Sequence, residues 1–167
     1  VVDLVDCLVG GDEDCAARPI GQKKAKQLLD AAQRYNIKVM VGIWMRHGRP
    51  GMEDDDSFNY LEDTEGMEAM YNNALETVKT YKNHPAVLTW GIGNEVDLDY
   101  TDFSVWKNVQ AIAAMIHEED KNHPTATVTA GIDAPEVHLI NEICPDIDIL
   151  GVNTYGDLPA LAEKIKL

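Results

Sequence analysis

Two four-residue turns in this chain share one sequence. Lys82-Asn83-His84-Pro85 recurs as Lys121-Asn122-His123-Pro124. Each copy follows a stretch with a helical hydrophobic period and precedes one with the character of a buried strand. Asn and His can end a helix, and Pro cannot continue one. Two matched helix-to-strand loops imply repeated βα units, which join parallel strands through crossover helices. The competing reading is chance recurrence of a common turn sequence.

The pattern between and around the turns is consistent with such units. Ala25, Leu28, Leu29 and Ala32 form one helical face over residues 22–35, followed by an apolar, β-branched strand from Ile37 to Trp44. A polar, Gly- and Pro-punctuated loop runs from Met45 to about Asn59. Met67, Met70, Tyr71, Ala74, Leu75 and Val78 then keep the i, i+3, i+4, i+7 rule, with Asp63 or Thr64 as the cap. Val87–Ile92 reads as the next strand. Thr101 or Asp102 opens a helix through Val105, Val109, Ile112, Ala113 and Ile116. Ala126–Ala130 is a short strand, Pro135 starts a helix with Val137 and Ile140, and Ile147–Val152 is a fourth strand. Leu158 to the end predicts one more helix. Residues 1–21 stay unassigned: Val1–Val9 is compatible with a strand or a short helix, and Gly10–Arg18 reads as loop.

Composition narrows the partners. The 167 residues are 45% hydrophobic and 26% charged, enough for one globular domain with a real core. A net charge of −15 disfavours nucleic acid and anionic membrane, which demand a basic face. No apolar stretch reaches membrane-spanning length. The chain opens on Val with no signal peptide, which leaves its compartment unassigned. Cys7, Cys15 and Cys144 match no metal spacing and read as free thiols. The acidic run Glu53-Asp54-Asp55-Asp56 lacks the Gly and distant Glu of a calcium loop and reads as a solvated loop. No metal site and no cofactor are expected.

The candidate chemistry gathers at strand ends. Asn94 and Glu95 stand side by side where the second clear strand finishes, and a carboxyl at the C-terminal tip of a parallel strand is where barrel enzymes keep their chemistry. Trp44, Arg46 and His47 end the first clear strand. A Trp face stacks on a sugar ring, and Arg and His give directional hydrogen bonds, so these are candidate subsite residues; rim packing and solvated charge are the alternative. Trp90, inside its strand, reads as core or as the floor of a site.

The run Lys82-Asn83-His84-Pro85-Ala86-Val87-Leu88-Thr89-Trp90-Gly91-Ile92-Gly93-Asn94-Glu95 resembles the acid/base segment of family 2 glycoside hydrolases, in the retaining clan of (β/α)8 barrels. Thr89 departs from it, standing where the family usually has an apolar residue. The resemblance covers about residues 22–167 and implies an α/β fold: a partial (β/α)8 barrel of about four parallel βα units. It implies that Glu95 is the catalytic acid/base and that Asn94 binds the sugar 2-hydroxyl. Asn153-Thr154-Tyr155 resembles the family's sixth-strand ending. There Tyr155 would reach toward the nucleophile as a catalytic residue, and Asn153 would face the substrate. The implied partner is a β-linked oligosaccharide or polysaccharide.

Retaining glycosidases need a second carboxyl group about 5–5.5 Å from the first. By resemblance it ends the seventh barrel strand, and the chain stops at Leu167, beside the sixth. A complete barrel takes about 250 residues. The expectation is therefore the acid/base half of the site, inactive alone, with its nucleophile elsewhere. Three other readings stay open: a transglycosylase acting on β-glucan, a non-catalytic carbohydrate-binding relative, and a small doubly wound α/β domain, which would need a switch in strand order.

Overall fold

The computed structural model of the chain describes residues 2–3, 22–46, 58–98, 103–131, 134–154, 156, 159 and 161. Among the described residues, five strands run in chain order: β1 (Val2–Asp3), β2 (Val39–Ile43), β3 (Val87–Asn94), β4 (Thr125–Thr129) and β5 (Ile149–Val152). Among the same residues, the helices that alternate with them are α1 (Gln22–Arg34), α2 (Thr64–Tyr81), α3 (Ser104–Glu119) and α4 (Ala134–Ile143). Every pairing is parallel, and the sheet order is β1-β2-β3-β4-β5. A sequential parallel order has no switch point, which removes the doubly wound alternative. It is the order of neighbouring units in a (β/α)8 barrel.

The core lies between the helices and one face of the sheet. Val39, Val41 and Ile43 of β2 and Trp90 and Ile92 of β3 pack with Leu29, Val78, Val109 and Ile116 from α1, α2 and α3. The next row is small across β2 to β4, where Gly42 pairs with Gly91 and Gly91 with Ala126, and it ends on Ile149 of β5. A Cβ on Gly91 would sit 3.2 Å from the Met40 side chain, so the two share a face.

Several helix ends follow from their sequence. Asn36 takes φ 56°, the left-handed position that ends α1, and Ile37 N–H donates to the Ala32 carbonyl at 2.8 Å. Asp63 caps α2 through Gly66 N–H at 2.8 Å. The two repeated turns do related work. His84 Nε2 meets Asp30 of α1 at 3.2 Å, and Lys82 Nζ donates to the Glu119 carbonyl at 2.8 Å. In the second copy His123 Nδ1 meets Asp120 at 2.8 Å, and Lys121 donates to the His117 carbonyl. The first turn thus ties the end of α2 to α1 and α3, and the second folds back on the end of α3.

Of the two alternatives for Val1–Val9, the strand is present at Val2–Asp3, where Val2 pairs with Val39. Several other expectations need correction. Strand β3 runs on to Asn94 rather than stopping at Ile92, because β4 continues beside it and Asn94 pairs with Val128. Helix α3 starts at Ser104 behind Phe103, whose side chain makes no cap bond; residues 99–102, with Thr101 and Asp102, lie outside the described residues. The Met45–Asn59 segment does not end as polar loop, since Phe58 is buried, as is Tyr60 just beyond it. Residues 47–57 lie outside the described residues, as does most of the final helix expected from Leu158. Of the three thiols only Cys144 is described: it is buried, and burial pushes it up to about 12.

Two carboxyls below the sheet give stability a pH dependence. Burial alone would raise Asp120, but the Asn122 backbone N–H, His123 and the Trp90 indole outweigh it and hold the carboxyl below its ordinary value. Burial likewise opposes, and the Thr125 N–H, His117 and the Thr125 hydroxyl overcome it, at Asp148. A carboxyl depressed in the folded state stabilises the fold above its unfolded pKa of about 3.9, and that contribution disappears as pH falls through the folded value. The melting temperature should therefore drop steeply below about pH 4. Asp148→Asn should flatten that slope, as read by thermal melts between about pH 3 and 6; an unchanged slope would contradict the assignment.

Candidate active site

The end of β3 leaves regular strand geometry twice within three residues. Gly93 has φ 67° and Glu95 has φ 53°, with Asn94 between them. Glycine at 93 is required on two counts. The left-handed backbone disfavours a side chain, and a Cβ there would lie 2.7 Å from Cγ1 of Val96, which is fully buried. Gly93→Ala should cost about 1–3 kcal/mol in a denaturant titration. A variant as stable as the parent would show that the turn relaxes freely. Glu95 has no such exemption as a non-glycine residue, and strained backbone of this kind clusters at functional sites.

The strain is held in place by β4. Glu95 N–H donates to the Val128 carbonyl at 2.8 Å, and Asn153 N–H donates to the Thr129 carbonyl at 2.9 Å. Both residues lie just past their strands and stay laddered to β4 from opposite sides. Their side chains meet across its end. Asn153 Nδ2 donates to Glu95 Oε1 at 2.7 Å and to Asn94 Oδ1 at 3.0 Å. Asp97, two residues after Glu95, accepts the Ala130 N–H with both oxygens at 3.1 Å and pins the loop after β3 onto β4.

The end of β2 supplies a second wall on the same edge, since Ile43 pairs with Ile92. Met45 is buried and anchors the turn, while Trp44 and Arg46 are half-buried. The Arg46 backbone is fixed at both ends: its N–H donates to Met70 Sδ at 3.4 Å and its carbonyl accepts the Tyr60 hydroxyl at 2.8 Å. Its guanidinium lies 4.6 Å over the Phe58 ring, which meets Tyr60 edge-on at 4.7 Å.

Of the residues singled out from sequence, Asn94, Glu95 and Asn153 converge on one hydrogen-bonded cluster, and Trp44 and Arg46 stand at the same sheet edge. His47 and Tyr155 lie outside the described residues. Trp90 is core: it is fully buried, and its indole donates to Asp120 at 2.9 Å. Sequence reasoning missed Asp97, Phe58 and Tyr60. A second carboxylate two positions beyond Glu95 and two aromatics closing a polar loop were the available signals. Among the described residues no group of three His, Cys, Asp or Glu side chains is placed to hold a metal ion, and no helix is long and apolar enough to cross a membrane.

The sequence profile for the TIM barrel domain of glycosyl hydrolases family 2 matches residues 24–166. The chain belongs to glycosyl hydrolase family 2. The match takes in β2 to β5 and every described member of the cluster. Solved structures of similar fold include β-glucuronidases. The β-D-glucuronidase of Dictyoglomus thermophilum superposes with a TM-score of 0.61 at 18% identity, over 84% of this chain and 25% of that one. A Parabacteroides merdae β-glucuronidase, solved with glycerol in its active site, gives a TM-score of 0.59 at 21% identity over 85% and 17%. A Bacteroides uniformis β-glucuronidase 2, covalently bound to cyclophellitol-6-carboxylate aziridine, gives 0.58 at 20% over 83% and 17%. At these identities the likeness is one of fold.

The chain is also 26% identical over 155 residues to the acetyl-coenzyme A carboxylase carboxyl transferase subunit alpha of Edwardsiella ictaluri, covering 89% of this chain and 47% of that protein. It thus spans about half the length of these curated relatives and a quarter or less of the solved glucuronidases. The carboxyl transferase likeness is too distant to carry a family. The sequential parallel sheet with Asn-Glu at a strand tip agrees with the barrel domain instead. The matched barrel domain is one of glycosyl hydrolases.

Proposed function

We propose that this chain contributes the acid/base half of a retaining β-glycoside hydrolase, with residues 22–167 as the barrel segment. The observation that carries the reading is Glu95. Its carboxyl stands at the tip of a parallel strand on strained backbone, and an amide from β5 holds it. That is the place and the restraint a proton-transferring group needs.

In this mechanism Glu95 gives its proton to the departing glycosidic oxygen as the anomeric carbon is attacked from the opposite face. It then takes a proton from the water that releases the sugar. Asn94 binds the 2-hydroxyl beside the reacting carbon, where a hydrogen bond that tightens in the transition state adds rate. Trp44, Arg46 and His47 serve as subsite residues, with the Trp ring offering its face to a sugar and Arg46 held over Phe58. Tyr155 takes the role that the family resemblance implies for it, holding the charge of the nucleophile. That nucleophile is a carboxylate on a strand outside these 167 residues, in keeping with the small share of the solved enzymes that the chain spans.

The substrate is a β-linked glycoside, and an aryl β-glucuronide heads the test panel because the structural neighbours are β-glucuronidases. The test is steady-state turnover of aryl β-glycosides by the protein as its gene encodes it, with and without Glu95→Ala. Undiminished turnover by the variant would end the assignment.

A further inference from the structure

Asn153 is 58 residues from Glu95 in sequence and comes from the second strand over, yet its amide touches both members of the Asn94-Glu95 pair. A primary amide carries two N–H donors. One goes to Glu95 Oε1 at 2.7 Å and the other to Asn94 Oδ1 at 3.0 Å. The orientation of the Asn153 amide is dictated by chemistry, because an ionised carboxylate only accepts hydrogen bonds and the nitrogen must face it. With Asn94 Oδ1 turned to Asn153, the Asn94 NH2 group is directed away from the bridge. The backbones of Asn153 and Glu95 are both laddered to β4, so the bridge spans two fixed points.

We propose that Asn153 is a positioning residue that selects which oxygen of Glu95 works. A donor on Oε1 keeps that oxygen an acceptor, so the acid proton resides on Oε2, the oxygen aimed at the glycosidic bond. The donors of Asn153 are thereby spent inside the protein rather than on substrate. This rests on reading Glu95 as the acid/base.

Rate loss through a mispositioned acid differs from loss of a sugar contact. Protonation matters for a poor leaving group and hardly at all for an activated one. The experiment measures kcat/KM in the gene-encoded protein on two substrates with the same sugar, a phenyl and a 2,4-dinitrophenyl β-glycoside. The variants are Asn153→Ala, the near-isosteric Asn153→Asp, Glu95→Ala, and each Asn153 change combined with Glu95→Ala. Both Asn153 variants should lose about 10- to 100-fold on the phenyl substrate and under about threefold on the activated one. On the Glu95→Ala background the same changes should cost under about threefold on either substrate, because the carboxyl they position is gone.

Equal losses on both substrates, or a full additional loss on the Glu95→Ala background, would overturn the proposal and make Asn153 a direct sugar contact. If Asn153→Ala fails to fold, Asn153→Asp carries the comparison. The underlying reading fails separately: Glu95→Ala would then show no dependence on leaving group. A normal Glu95→Ala pattern with an indifferent Asn153 sinks this proposal alone.

Discussion

Glu95→Ala lowers kcat/KM on a phenyl β-glycoside by about 10²–10⁴-fold, the range that general acid–base catalysis supplies. On a 2,4-dinitrophenyl glycoside the first step is far less affected, because that leaving group departs without a proton. The second step still suffers, since water then lacks its base. The variant should therefore accumulate glycosyl-enzyme on the activated substrate, seen as a burst followed by slow turnover with a low apparent KM. These effects require a carboxyl held where Glu95 is held, on left-handed backbone at the tip of β3 with Asn153 against Oε1. A solvated surface glutamate would produce none of them. A uniform small loss on both substrates would assign Glu95 to binding instead.

The largest effect on stability belongs to Asp120, at the opposite end of the sheet. Only 3% of this residue is exposed. Its carboxylate accepts the Trp90 indole at 2.9 Å, the Asn122 N–H at 2.9 Å and His123 at 2.8 Å. Asp120→Ala leaves the indole N–H of a fully buried Trp without a partner, together with a turn that has lost its anchor. An orphaned buried donor costs about 1–3 kcal/mol, and a broken buried charge network adds to that. The expected total is about 2–4 kcal/mol, or about 4–16 °C in melting temperature for a domain of this size. Asp120→Asn keeps one acceptor oxygen and should lose less. A melting temperature within about 1 °C of the parent for Asp120→Ala would show that the network adds nothing net.

The frame of the fold was legible because it is written locally. The period of α2 rests on Met70, Ala74 and Val78, all buried, and the repeated Lys-Asn-His-Pro turns mark where helix gives way to strand. Asn94 and Glu95 were legible as a pair because a strand-end amide and carboxyl adjoin in sequence. What joins distant residues was not. Nothing in the order of residues says that Asn153 lies across β4 from Glu95, since register between non-adjacent strands is decided by the whole sheet. The role of Asp120 was equally hidden: it reads as a helix-ending residue until the Trp90 indole is seen on it. The choice between strand and helix for Val1–Val9 stayed open because the two residues of β1 carry no period. Phe58 and Tyr60 escaped because the composition of the preceding loop, rather than its contacts, set the expectation.

The most direct test of the proton-transfer role of Glu95 is the product formed by Glu95→Ala in the presence of sodium azide, read by proton NMR of the anomeric signal. Azide is a small anion that fits the space left by the carboxylate and needs no base. Adding azide should speed turnover of the 2,4-dinitrophenyl glycoside and give a β-glycosyl azide of retained configuration. Free sugar alone, at a rate that azide does not change, would contradict it.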